Sequence, residues 1–223
     1  GLLGEKLGHS YSPALHALFG DYDYELFEVS PDRLGDFLRV RDFQGLNVTI
    51  PYKTTMLAIC DDLTETAATI GSVNTVLKQL DGSLLGDNTD AAGFEGMVWK
   101  SRIRILGLKC LVLGSGGASL SAQYVLRKLG AGEVVVISRT GENNYDNLDR
   151  HQDAAVIVNA TPVGMYPNTA ASPVDLRQFP HCEGVLDLIY NPARTALLQQ
   201  AETLGIPHLG GLYMLAEQAR CAA

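Results

Sequence analysis

The sequence is short of basic charge, of long apolar runs and of patterned cysteine, and each shortage removes a class of function. Its 17 Lys and Arg are outnumbered by 25 Asp and Glu, giving a net charge of −8 and a pI near 5.0. That balance argues against nucleic acid or an anionic membrane surface as the main partner, because both demand basic patches. No stretch approaches the roughly 18 consecutive apolar residues that a membrane-spanning helix needs. The opening residues GLLGEKLG lack a charged leader and an apolar core, so no signal peptide is expected. The four cysteines, Cys60, Cys110, Cys182 and Cys221, show no Cys-x-x-Cys spacing. They read as reduced thiols of a cytoplasmic protein, with no metal site and no disulfide frame. There is no internal repeat, low-complexity segment or long linker. What remains is a globular composition, 46% hydrophobic and 19% charged over 223 residues, enough for one large core or two modest ones.

The most informative stretch is Lys109 to Ser121, KCLVLGSGGASLS. An apolar run, Cys110 to Leu113, breaks at Gly114-Ser115-Gly116-Gly117-Ala118 and resumes at helical spacing through Leu120, Val125, Leu126 and Leu129. Glycines at such a turn let the backbone approach a pyrophosphate, and the following helix offers it N–H groups and a positive dipole end. The same residues also serve as an ordinary tight strand-to-helix turn. A second apolar strand, Glu133 to Ser138, ends in Arg139-Thr140. At about this distance beyond the glycines, an acid would bond the ribose 2′-OH of NAD. An arginine can instead pair with a 2′-phosphate, which favours NADP, while Glu142 nearby keeps NAD open.

The first 95 residues read as alternating strands and helices. Ser12 before Pro13 suits a helix N-cap and first turn, with the helix over residues 14–19, whereas Ser10 has no such structural role. Strands are expected over residues 24–29 and 46–50, with Asn47 and Thr49 sharing one face, and helices over 34–39 and from Thr54. A polar face leading to Lys53 just past a strand end fits a ligand site in an open α/β sheet; a lysine there also suits plain solvation. Residues 65–70 form a helix stopped by Gly71, and Asp81-Gly82 marks a hairpin between residues 72–77 and 83–86. Asp90 falls in the first turn of the next helix, where a carboxylate ordinarily offsets the dipole. Later strands run over 154–158 and 184–189, a helix follows to Leu204, and the last helix spans about 212–221.

Ten blocks in this order resemble the shikimate dehydrogenase family: His9-Ser10-x-Ser12-Pro13, Asn47-Val48-Thr49-x-Pro51-x-Lys53, Leu63-Thr64-Glu65, Val73-Asn74-Thr75, Gly86-x-Asn88-Thr89-Asp90, Gly114-x-Gly116-Gly117-Ala118, Arg139-Thr140, Asn159-Ala160-Thr161-Pro162-x-Gly164-Met165, Asp187-x-x-Tyr190-x-Pro192 and Gly211-x-x-Met214-Leu215-x-x-Gln218. The resemblance implies an α/β fold. An N-terminal substrate domain, residues 1–95 completed by 211–223, would carry a Rossmann-like doubly wound NADP-binding domain over residues 96–210. It implies reversible NADP-linked reduction of 3-dehydroshikimate to shikimate. Quinate with NAD, or a non-catalytic dinucleotide-binding paralogue, are the alternatives. Ser10 and Ser12 would bind the substrate carboxylate, and Asn47, Thr49, Asn74, Tyr190 and Gln218 the ring and its hydroxyls. Lys53 and Asp90 would be the catalytic pair. The cofactor set would be Glu65, Gly114, Ser115, Gly116, Gly117 and Ala118 (pyrophosphate turn), Ser138, Arg139 and Thr140 (2′-phosphate), Thr161, and Leu188 with Gly211 beside the nicotinamide. The partner would be that small molecule alone, without nucleic acid or membrane; a homodimer is allowed, though no residue requires it.

The chemistry fits these residue types. Hydride arriving at a carbonyl carbon leaves charge on oxygen, so a proton donor must stand within hydrogen-bond reach, with a carboxylate to orient it. The sequence departs from the family in three places. The segment between Thr140 and Ala154 is short, which implies a trimmed sheet edge. Gly141-Glu142-Asn143-Asn144 stands where a second basic residue is usual, and the last helix stops early, at Ala223.

Overall fold

The computed structural model describes residues 1–8, 10–40 and 42–223; His9 of the first block lies outside them. Residue contacts divide the chain into unit 1, residues 1–92 with 218–223, and unit 2, residues 93–217.

In unit 1 the elements are β1 (Leu2–Gly4), α1 (Ser12–His16), β2 (Leu26–Glu28), α2 (Leu34–Val40), β3 (Gly45–Val48), β4 (Asp62–Leu63), α3 (Glu65–Ile70), β5 (Thr75–Lys78) and β6 (Leu84–Asp87). The expected helix from Thr54 is a single 3-10 turn, Thr55–Ala58. The six strands form one mixed sheet in the order β2-β1-β3-β5-β6-β4. β1 pairs in parallel with β2 and β3, while β5 runs antiparallel to both β3 and β6. The hairpin turn between β5 and β6 is closed by Asp81, whose carboxylate accepts from the Ser83 amide at 2.9 Å. Leu3, Leu46, Val48, Val76 and Leu84 from the sheet pack with Leu34, Leu38, Met56 and Ala67 to make the core.

Ser12 is not the cap of α1. The N-cap is Tyr11, and Ser12 is the first helical residue. Its amide donates to Ser10 Oγ at 3.2 Å, so Ser10 does have a local role, closing the turn into the helix.

Helix α4 (Thr89–Ser101) contains the boundary between the units. Unit 2 continues with β7 (Lys109–Leu113), α5 (Gly117–Lys128), β8 (Glu133–Ile137), β9 (Val156–Asn159), β10 (Gly184–Asp187), α6 (Ala196–Thr203), β11 (His208–Gly210) and α7 (Leu212–Ala222). Its five strands are all parallel, in the order β11-β10-β9-β7-β8. Parallel strands are covered on both faces, which is why β7 and β9 are continuous apolar runs and not alternating ones. The order is that of a doubly wound dinucleotide sheet, 3-2-1-4-5-6, without its outermost strand 3. Between β8 and β9 the chain makes only a 3-10 helix, Tyr145–His151, leaving β8 as the edge. Leu111, Leu113, Ile137, Ile157 and Val185 from the strands, with Leu197, Leu198 and Ala201 from α6, form the core of unit 2. Near the second boundary, a Cβ on Gly96 of α4 would meet Tyr213 and Glu217 of α7 at 3.2 and 3.3 Å, so the start of α7 belongs with unit 2.

Candidate functional site

In unit 1, polar residues at and beyond the end of β3 and just before the start of β5 gather around the start of α4. Lys53 is anchored by its backbone, whose carbonyl accepts from the Val73 amide at 2.8 Å. Its ammonium makes a short charge-assisted hydrogen bond to Asp90 Oδ2. The two side chains are 15% and 7% exposed, a pair of the kind whose separation leaves a buried charge uncompensated. The first amides of α4 are capped by residues other than Asp90. Asn88 Oδ1 accepts from the Ala91 amide at 3.2 Å, and Asn74 Oδ1 accepts from the Thr89 amide at 2.7 Å. That division of labour releases the Asp90 carboxylate for Lys53.

The Thr89 contact also orients Asn74. A backbone N–H can only donate, so the amide oxygen of Asn74 must face it. Its Nδ2 is then left to donate to Thr89 Oγ1 at 3.0 Å and Gln218 Oε1 at 3.4 Å. Asn47 is held by two hydroxyls: that of Tyr24 donates to Asn47 Oδ1 at 2.7 Å, and Asn47 Nδ2 reaches Thr75 Oγ1 at 3.4 Å. Burial pushes the Tyr24 hydroxyl above the usual phenol range. Thr49 lies one residue beyond β3, half-buried, and is tied by its amide to Leu3 O at 2.9 Å. Unit 1 therefore holds Ser10, Ser12, Asn47, Thr49, Lys53, Asn74, Asp90 and Gln218. Glu65, expected on the cofactor, is exposed in the first turn of α3.

The other expected residues lie in unit 2. Gly114 follows β7 with φ +104°, and a Cβ there would stand 3.0 Å from both Ala160 O and Thr161 Cγ2. The turn thus packs against the end of β9, at the point where the sheet order reverses and ligands of such sheets bind. A Cβ on Gly116 would meet nothing within 4 Å, and no side chain caps the first turn of α5. Open space beside an uncapped helix start fits a pyrophosphate. Ser115 is exposed, and Gly117 and Ala118 are half-buried. Beyond β8, Ser138 is half-buried and Arg139 and Thr140 are exposed. Tyr190 follows β10, half-buried. Gly211 shows the closest approach: a Cβ would lie 2.1 Å from Leu188 O, so only glycine fits beside that carbonyl.

One buried group in unit 2 was given no role by sequence. Asp187, wholly buried at the end of β10, accepts through Oδ1 from Asn159 Nδ2 (3.0 Å) and the Ile189 amide (3.1 Å), and through Oδ2 from Thr195 Oγ1 (2.6 Å). Desolvation raises its pKa to about 6 against those three hydrogen bonds. Asn159 Oδ1 in turn accepts from Thr161 N and Oγ1 at 3.0 and 2.7 Å. The network joins the turns carrying Thr161 and Leu188. Its signal was an acid inside the apolar run GVLDLI.

Comparison with known proteins shows the family and the fold. The family model described as "Shikimate dehydrogenase substrate binding domain" matches residues 2–76. A shikimate dehydrogenase (NADP(+)) of Clostridium perfringens is 36% identical over 98% of this chain and 88% of its own length. The crystal structure of shikimate dehydrogenase 1 from Peptoclostridium difficile superposes with a TM-score of 0.92 at 35% identity, covering 100% of this chain and 88% of that one. The Thermus thermophilus enzyme, solved in complex with NADP(H) and shikimate, gives a TM-score of 0.88 at 36% identity, covering 99% and 90%. With likeness of this extent in both sequence and fold, the chain belongs to the shikimate dehydrogenase family.

Proposed function

We propose that this chain catalyses the reversible NADP-dependent reduction of 3-dehydroshikimate to shikimate, an oxidoreductase step of aromatic amino acid (chorismate) biosynthesis. The observation that carries this reading is the Lys53–Asp90 pair, set beside an amide cluster of fixed orientation in a chain of this family. Unit 1 would bind the substrate and unit 2 the dinucleotide.

When bound, the nicotinamide of NADP supplies the hydride for reduction and accepts it in the reverse direction. In reduction, Lys53 donates a proton from its ammonium to the oxygen on which charge develops; in oxidation its amine takes the hydroxyl proton. Asp90 holds the ammonium in place and offsets its charge when the proton is present. General acid–base assistance of this kind contributes about 10²–10⁴ in rate. Asn74 Nδ2 and Gln218 Oε1, bonded to each other at 3.4 Å, would exchange that bond for donor and acceptor contacts to vicinal ring hydroxyls, and Ser10 and Ser12 would receive the carboxylate. Neutral amides and hydroxyls discriminate by position, since a misplaced hydroxyl leaves one of them unpaired.

In unit 2 the turn 114–118 would hold the pyrophosphate and Ser138, Arg139 and Thr140 the 2′-phosphate. We place the enzyme in the cytoplasm, with no nucleic-acid or membrane partner, on its acid-rich composition and on cysteines that form no disulfide; a homodimer is compatible with this reading. Among the described residues no helix is long and apolar enough to cross a membrane.

Steady-state kinetics with shikimate or quinate, each with NADP or NAD, test the proposal. The highest kcat/KM is expected for shikimate with NADP. Preference for quinate with NAD would reassign the substrate and cofactor, and dinucleotide binding without turnover would mark a non-catalytic paralogue.

A further inference from the structure

The segment after β8 lacks the second basic residue usual at a 2′-phosphate site, and the structure shows what stands in its place. Three successive carbonyls of the loop are tied inward. Gly141 O accepts from Asn144 Nδ2 at 3.1 Å, Glu142 O from Asn147 Nδ2 at 2.8 Å, and Asn143 O from the Ser138 amide at 3.1 Å. The donors are themselves held. The Asn144 amide donates to Asn147 Oδ1 at 2.9 Å, and Asn144 Oδ1 accepts from the Asp146 amide at 2.9 Å. His151, buried at the end of the same 3-10 helix, reaches Asn143 Oδ1 through Nε2 at 3.0 Å. The backbone departs from helical geometry at Asn147 itself (φ −127°, ψ 29°).

A phosphate dianion is repelled by carbonyl oxygens and drawn to N–H and O–H donors. Binding the carbonyls of residues 141–143 to internal donors lessens that repulsion and ties the loop back to Ser138, beside Arg139 and Thr140. We propose that Asn144 and Asn147 are positioning residues that set selectivity for a 2′-phosphorylated dinucleotide, doing by loop order what a second cation would do by charge. This rests on the NADP reading above.

The test is calorimetric titration of the full chain with 2′,5′-ADP and with 5′-ADP, which reads the 2′-phosphate without turnover. The parent is expected to bind 2′,5′-ADP more tightly. Asn147→Ala should shrink that ratio roughly 5- to 30-fold, the worth of the two side-chain hydrogen bonds by which Asn147 holds the loop, with 5′-ADP affinity and the KM for shikimate within about twofold. Asn144→Ala, which cuts the tie to Gly141, should shrink it in the same direction and serves if the first variant does not fold. Because both act through the placement of Arg139, combining Asn147→Ala with Arg139→Ala should lower the ratio no further than Arg139→Ala alone. An unchanged ratio in a variant that melts like the parent overturns the proposal and leaves the enzymatic reading standing. Parallel loss of both nucleotides overturns it too, as the mark of general unfolding of the loop. A parent that does not prefer 2′,5′-ADP overturns both this proposal and the NADP assignment.

Discussion

Replacing Asp187 with asparagine should remove a loss of stability that the parent suffers as pH rises. Asp187 titrates at about 6 in the folded chain against an ordinary 3.8, through desolvation. Between those values the folded state holds a proton that the unfolded state has released. Stability therefore falls as pH rises through the window, by roughly 2 pKa units or about 3 kcal/mol, and the full cost is present above about pH 6. The site accommodates an amide. Its oxygen would take the place of Oδ1, accepting from Asn159 and Ile189, and its NH₂ would donate to Thr195 Oγ1, a hydroxyl that can accept as well as donate. Asp187→Asn should thus fold, and its stability relative to the parent should rise by about 3 kcal/mol between about pH 4 and pH 7. At roughly 2–4 °C per kcal/mol for a chain of this size, that is a relative gain of about 6–12 °C in Tm. Thermal unfolding of both proteins across that range measures it. Parallel profiles would refute the argument that the buried carboxylate is held ionised against its desolvation.

Two further substitutions probe unit 2. Gly211→Ala places a methyl 2.1 Å from Leu188 O, which only a backbone shift can relieve. Overpacking against backbone should cost about 1–3 kcal/mol, seen as a lower Tm together with a raised KM for NADP; a variant melting with the parent would show the approach to be looser than described. Arg139→Ala should weaken NADP by about 10- to 100-fold, the worth of charge-assisted hydrogen bonds, and NAD by less than about twofold; equal losses in cofactor titrations would remove Arg139 from the 2′-phosphate.

The regular elements were legible where local chemistry and burial agree. Helix α3 lies where expected, because Thr64 caps its start by accepting from the Ala67 amide and Gly71 ends it. Strand β7 and helix α5 followed from one apolar run, one glycine turn and one helical repeat. The two-residue β4 and three-residue β11 were not visible, since so short a strand shows no period and exists only through its neighbour in the sheet. The 3-10 helix at residues 145–151 was hidden for a different reason: it is held by asparagine side chains, not by an apolar stripe. The cap of α1 was misplaced because Ser12 and Pro13 are good first-turn residues of any helix, and only the Ser10–Ser12 contact decides the register. Sequence named Lys53 and Asp90 through family resemblance; that they share a hydrogen bond across 37 positions is visible only in the fold. Asp187 and Asn159 escaped assignment because a buried polar network has no sequence period of its own.

In the proposed reaction the Lys53 ammonium moves the proton at the reacting oxygen. Lys53→Met keeps the aliphatic stem and removes the donor, so the variant is compared with the parent in NADP-linked shikimate oxidation, with folding checked by melting and cofactor binding by titration. The expected result is a fall in kcat of about 10²–10⁴ with NADP affinity within about twofold of the parent. A folded Lys53→Met protein that turns shikimate over as fast as the parent would contradict it.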